Sequence, residues 1–213
     1  MAQLRAGRLT RRLVQLLFGL VLYGASTATI IRARLGNAPW DVLHQGLARH
    51  LPISIGAAII AVSAGVLVLW IPLRQLPGLG TVLNAVLVGF AAGVTLSVLP
   101  SPSAGGARTV LLIVGILCNV GATALYIGAQ LGPGPRDGLM TGLHRRTGRS
   151  VRLVRTAIEV TVVLLGWLLG GTVGIGTVAY AVAIGPLVQL ALPWCIVALP
   201  AVTPRSGDGA IEG

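Results

Sequence analysis

Lysine is absent from this 213-residue chain: its 16 basic residues are all arginine, set against only 5 acidic ones. Charged residues make up 10% of the sequence, where soluble domains carry roughly 25%, so a soluble globular fold is excluded. Aromatic residues are scarce at 4%. The two cysteines, Cys118 and Cys195, sit inside apolar runs and have no ligand-like spacing to each other or to His44, His50 and His144. That excludes a disulfide framework and a zinc site, and we expect no metal and no cofactor. The pairs Gly78/Gly80 and Gly174/Gly176 lack a following lysine and a flanking strand, so they are helix starts and packing positions rather than phosphate loops.

What remains is overwhelmingly apolar: 54% hydrophobic residues, a mean hydropathy of +0.88, and long apolar runs throughout. Runs of about 20 such residues are what a bilayer span requires. The expected class is an all-α integral membrane protein with a single, multi-pass membrane domain. A formal net charge of +11 would suggest nucleic acid in a soluble chain. Here most arginines flank apolar spans, so orientation signals and contact with the lipid bilayer account for it, and nucleic acid is not an expected partner. The first run, from Arg8, has the basic start of a secretory signal. It continues to Ile31 and has a mid-chain counterpart at Thr109–Ile127, so it is expected to be a retained span.

The chain repeats itself. At an offset of 96, Arg12–Gly89 aligns without a gap to Arg108–Gly185, with 28 identities by direct count over 78 pairs, against roughly a tenth for ordinary residue usage. Gly78-Leu79-Gly80-Thr81-Val82 recurs as Gly174-Ile175-Gly176-Thr177-Val178, and the polar stretch Leu35–Arg49 recurs as Leu131–Arg145. The expected organisation is a basic N-terminus (1–11), repeat 1 (12–104), repeat 2 (105–200) and a disordered tail (201–213). Each repeat parses as three spans plus a short broken or re-entrant helix. In repeat 1 the spans are about Leu13–Ile31, Ile55–Leu73 and Thr81–Leu99. In repeat 2 they are about Thr109–Ile127, Val151–Leu169 and Thr177–Val197. The short helices, 39–50 and 135–146, each open on a proline suited to a first turn, and Ser54 offers an N-cap to the span after it.

About six transmembrane helices as two three-helix repeats have a topological consequence. An odd number of spans makes the second repeat enter the bilayer from the opposite side, giving an inverted repeat of the kind found in secondary transporters. With a cytoplasmic N-terminus, twelve arginines fall inside and only Arg32, Arg34, Arg49 and Arg108 fall outside, which obeys the positive-inside rule.

The polar residues inside this apolar frame are the candidate site. Asp41 and Asp137 both lie in the first turn of a short helix, where a carboxylate favours the positive dipole end and can bond free amides. They are helix-start residues, or substrate-binding groups at two converging helix starts; both readings stand. Asn37, Ala38 and Trp40 in the first repeat become Pro133, Gly134 and Arg136 in the second. Arg136 beside a helix N-terminus calls for a carboxylate or an anion nearby, and Trp40 is either a stacking surface or an interfacial anchor. The candidate substrate-binding set is therefore Asn37, Trp40, Asp41, Arg136 and Asp137. Arg155 and Glu159 share a helix face at i, i+4 and lie near mid-membrane. With His44 they form a candidate coupling set, the alternative being a satisfied ion pair and a hydrogen-bonded structural histidine. Asn84 and Tyr180, aligned with each other, are further polar groups near the same place.

On GNAPWDVLHQGLA, the Ile71–Thr81 segment and the Gly134–Leu139 element, the chain resembles the YczE/YitT-type bacterial integral membrane proteins from about Arg12 to Leu192. The resemblance implies a multispanning inner-membrane protein suspected of transport, and supplies no catalytic residues. The leading expectation is a non-enzymatic permease for a small polar or anionic solute, with proton coupling through Glu159, in the bacterial inner membrane. Alternatives are a lipid-phosphate translocator binding a lipid headgroup, a non-transporting regulatory or assembly protein, and an intramembrane aspartyl protease using Asp41 and Asp137 as a dyad. Substrate identity, coupling ion and oligomeric state are not readable.

Overall fold

A computed structural model describes residues 7–199. Arg5, Arg205 and the expected tail 201–213 lie outside them. The described chain is all helical: α1 (Leu9–Ala33), α2 (Pro39–His50), α3 (Ile55–Trp70), α4 (Leu79–Val98), α5 (Gly105–Gly128), α6 (Pro135–Thr147), α7 (Val151–Leu168) and α8 (Ile175–Cys195).

Local chemistry sets these ends. Gly36 and Gly132, 96 apart, turn the chain out of α1 and α5 at φ 116° and 126°, a left-handed conformation that glycine adopts without strain. Pro39 and Pro135 then take the first helical position of α2 and α6. Ser54 and Ser150 cap α3 and α7, accepting from Ala57 N at 3.1 Å and Leu153 N at 3.3 Å. Thr81 and Thr177 accept in the same way from the N–H of Gly78 (3.1 Å) and Gly174 (3.3 Å) at the starts of α4 and α8.

Among the described residues four helices, α1, α4, α5 and α8, are long and apolar enough to cross a membrane, and the α2–α3 pair, bent by 114°, makes a fifth if taken as one broken span. The six spans expected from the repeat are thus not all present as uniform apolar helices. At 16 residues, α3 reaches about 24 Å, short of the ~30 Å hydrocarbon core, and α7 carries Arg152, Arg155 and Glu159. Val14 and Phe18 on α1, Phe90 on α4, Leu117 on α5 and Val182 on α8 are exposed. An apolar outer surface of this kind suits contact with lipid, and the chain is a multi-pass membrane protein.

Helices α1 and α5 cross at the centre. A β-carbon at Gly19 would lie 3.0 Å from Tyr126 N, and one at Gly115 would lie 3.2 Å from Ile30 N. These contacts are related by the 96-residue offset, and small residues there let the backbones approach. Further links between the halves recur in the same register. Gly176 N donates to Leu35 O at 2.8 Å, and Gly80 N donates to Leu131 O at 2.8 Å. Leu35 aligns with Leu131 and Gly80 with Gly176, so each half supplies the other with the same hydrogen bond. Arg12, buried, donates to Ala129 O (2.8 Å) and Gln130 O (2.7 Å) just past the end of α5, where free carbonyls favour a cation.

Candidate functional site

The starts of α2 and α6 meet beside the α1–α5 crossing. A cavity of about 230 Å³ opens there, walled by Tyr23 from α1, Pro39 and Trp40 from α2, Tyr126 from α5, Arg136, Asp137 and Met140 from α6, Arg155 and Glu159 from α7, and Tyr180 and Ile184 from α8. A second cavity of about 40 Å³ adjoins it, lined by Tyr23, Tyr126, Gly134, Pro135, Arg136 and Asp137 together with Ile59 and Ser63 of α3 and Asn84 and Val88 of α4. Tyr23, Tyr126, Arg136 and Asp137 belong to both.

Arg136 lies with its guanidinium carbon 5.0 Å from the centre of the Trp40 ring, a cation–π contact that orients the guanidinium plane. Asp137 accepts a hydrogen bond from the Tyr126 hydroxyl, and the Tyr126 ring packs edge-on to Tyr23 at 6.1 Å. On α7, Arg155 Nε donates to Glu159 Oε1 at 2.8 Å. Tyr180 OH donates to Asn119 Oδ1 (2.8 Å), whose amide donates to Ser26 Oγ (2.8 Å), which fixes the Tyr180 ring against the cavity wall. Neither short helix receives a side-chain cap bond at its start. The first-turn aspartates bond side chains, Asp41 with His44 and Asp137 with Tyr126.

Of the candidates read from the sequence, the structure brings Trp40, Arg136, Asp137, Arg155 and Glu159 into the larger cavity. Asp41 is 2% exposed and paired with the fully buried His44, Nδ1 to Oδ1 at 3.0 Å. Neither of these two lines the larger cavity. Asn37 is also outside it: its amide donates to Gln45 Oε1 at 2.9 Å, and that same oxygen accepts from Thr172 N at 2.6 Å. Asn37 and Gln45 therefore tie the first break to the turn before α8. Tyr23 and Tyr126 were not picked out from sequence. Each sits alone in a long apolar helix and aligns with a different residue in the other half (Asn119 and Ile30). Scarcity was the available signal, because the chain has only three tyrosines and all of them line this cavity.

The two short helices are seated differently. Helix α2 lies backbone-close on α7: a β-carbon at Gly166 would overlap Leu43 N, and one at Gly46 would come 2.7 Å from Gly166 O. The position aligned with Gly166 is Trp70, on α3. Its indole fills the corresponding space, so that a β-carbon at Gly138 would overlap Trp70 Cζ2, and its N–H donates to Pro135 O at 3.0 Å. A large residue on α3 facing a glycine on α6 stands where, in the other half, a glycine on α7 faces Val42 and Leu43 of α2.

No solved structure matches this chain. It is 42% identical over 177 residues to an uncharacterized protein of Haemophilus influenzae, covering 83% of this chain and 81% of that one. It is 32% identical over 181 residues to the uncharacterized membrane protein YczE of Bacillus subtilis, covering 84% of each. The uncharacterized protein YyaS of Bacillus subtilis is similar at 23% identity over 179 residues, 82% of this chain and 89% of that one. Residues 10–193 match the family of unknown function DUF6198, and the chain, with its apolar helices and its likeness to YczE, belongs to that family.

Proposed function

We propose that the chain is a carrier of a small polar or anionic solute in the bacterial inner membrane, not an enzyme, and that it exposes one site alternately through two cavities related by a pseudo-two-fold rotation. The observation that carries this reading is the register between those cavities. Pro39, Trp40, Arg155, Glu159, Tyr180 and Ile184 of the larger correspond, at an offset of 96, to Pro135, Arg136, Ile59, Ser63, Asn84 and Val88 of the smaller. Equivalent surfaces enclose about 230 Å³ in one half and about 40 Å³ in the other. In an inverted repeat the halves exchange conformations between the two access states. The reciprocal bonds Gly176 N–Leu35 O and Gly80 N–Leu131 O support such a relation. In this reading Arg136 and Asp137, common to both cavities, hold the solute, and Glu159 is the proton-coupling group. The N-terminus is cytoplasmic, as the arginine distribution favours.

The test uses purified protein in liposomes, and protein stripped of its native cysteines that carries Ser63→Cys or Glu159→Cys. We expect counterflow of a small polar solute that Arg136→Gln abolishes, and labelling of the introduced thiols at positions 63 and 159 from opposite faces. A position 63 thiol that never reacts, in a protein whose position 159 thiol does, would mean that the smaller cavity does not open and alternation does not occur.

A further inference from the structure

The charges in the larger cavity are incompletely matched. Three acids fall among the described residues. Asp41 is paired with His44 and Glu159 with Arg155, while Asp137 holds only the Tyr126 hydroxyl and is in no ion pair among the described residues. Arg136, next to it in sequence and in the same cavity, is in no such ion pair either. They do not pair with each other for a helical reason: consecutive side chains project about 100° apart around the axis. Arg136 instead lies over Trp40, and Asp137 is drawn to α5 by Tyr126. The cavity wall therefore carries one half-buried positive and one half-buried negative group that form no ion pair among the described residues, and a ligand in the cavity can meet both.

A single small molecule bearing both signs would compensate both groups. We propose that the cavity takes a small zwitterion of amino-acid type, its carboxylate on Arg136 and its ammonium on Asp137. This rests on reading the cavity as the solute site. The planar guanidinium suits a bidentate carboxylate, and the start of α6 favours negative charge at that place. Trp40, 6% exposed, carries a ring N–H with no acceptor among the described residues. A plain monocarboxylate would leave Asp137 uncompensated, and a phosphate dianion would add repulsion from both Asp137 and Glu159. A simple amine would leave Arg136 unmatched. About 230 Å³ corresponds to roughly seven or eight water volumes, which admits a molecule the size of a small amino acid, and Ile127, Ile184 and Val188 supply an apolar wall for its side chain.

The test is thermal stability of the full-length protein in lipid nanodiscs with glycine, L-alanine or L-proline, and separately with propionate, ethylammonium or inorganic phosphate. All are added at about 10 mM, ten times a millimolar Kd, where mass action gives a readable shift. We expect at least one zwitterion to raise Tm and the three half-charged probes to leave it unchanged. Arg136→Gln and Asp137→Asn each remove the response, and Arg136→Lys, which keeps the cation, retains part of it. Stabilisation by propionate or phosphate equal to that by the zwitterions would overturn the proposal, as would no response to any zwitterion. Zwitterion binding without flux in liposomes would instead end the carrier reading while leaving the site in place. Arg136-dependent flux of a simple anion would keep the carrier and overturn the zwitterion.

Discussion

Helices α2 and α6 are copies of one sequence element put to different use. Both open on proline with aspartate at the third residue. In α2 the aspartate is buried against His44, and the helix lies on Gly166 of α7 with backbones in contact. In α6 the aspartate reaches a tyrosine at the cavity wall, and the indole of Trp70 stands between the helix and α3. The difference teaches that a duplicated turn need not yield a duplicated site. One copy has become a packing unit whose charges are satisfied internally, and the other presents its charges to a cavity. Differences between the copies, Gly166 against Trp70 outside the motif and His44 against Met140 within it, decide which copy does which.

The comparison can be broken most severely at the glycine contact. Gly166→Leu drives a side chain into the α2 backbone, and overpacking of this kind costs about 1–3 kcal/mol or more. We expect loss of most monodisperse protein on size-exclusion chromatography, whereas Gly65→Leu, at an open position, leaves it intact. Next comes the aspartate pair. Asp41→Ala leaves a ring nitrogen of the fully buried His44 without its partner, a class of change that costs about 1–3 kcal/mol. Asp137→Ala should lower stability less, since this carboxylate is only half-buried and its one bond among the described residues is to a hydroxyl. Thermal unfolding of the two variants side by side checks the ordering, and equal losses would mean that the two copies play the same part. A milder test pairs Gly138→Ala with Trp70→Phe: the first alone should destabilise, and the smaller ring of the second should restore most of the loss. The smallest stability effect belongs to Glu159→Gln, because the Arg155–Glu159 pair is partly exposed and such pairs contribute less than about 1 kcal/mol. If Glu159 couples protons, that variant keeps its melting temperature and loses pH-driven flux.

Much of the framework was legible because it rests on local chemistry. Pro39 and Pro135 mark helix starts, Ser54 and Ser150 mark caps, and the Gly-x-Gly-Thr segments mark the openings of α4 and α8. All of these act within a few residues of where they stand in the chain. The two copies of the polar stretch, aligned at the offset of 96, open the short helices α2 and α6. The seating of Asn37, Asp41 and His44 was not legible. Asn37 is held through Gln45 to Thr172, more than a hundred residues away, and the burial of the local Asp41–His44 pair depends on the helices packed over it. Nor were the tyrosines, because an isolated hydroxyl in an apolar helix has no periodic signature until the helices that face it are known. The span count differed from the repeat's expectation because α3 is short and α7 carries three charged residues.

The inverted relation of the halves is tested most directly by the sidedness of two aligned, exposed loop positions. These are Pro52, between α2 and α3, and Gly148, between α6 and α7, replaced one at a time by cysteine in protein lacking Cys118 and Cys195. An impermeant maleimide should label position 52 in intact cells and position 148 only in inside-out vesicles. Labelling of both from the same face would contradict the inverted arrangement and, with it, the two-cavity carrier.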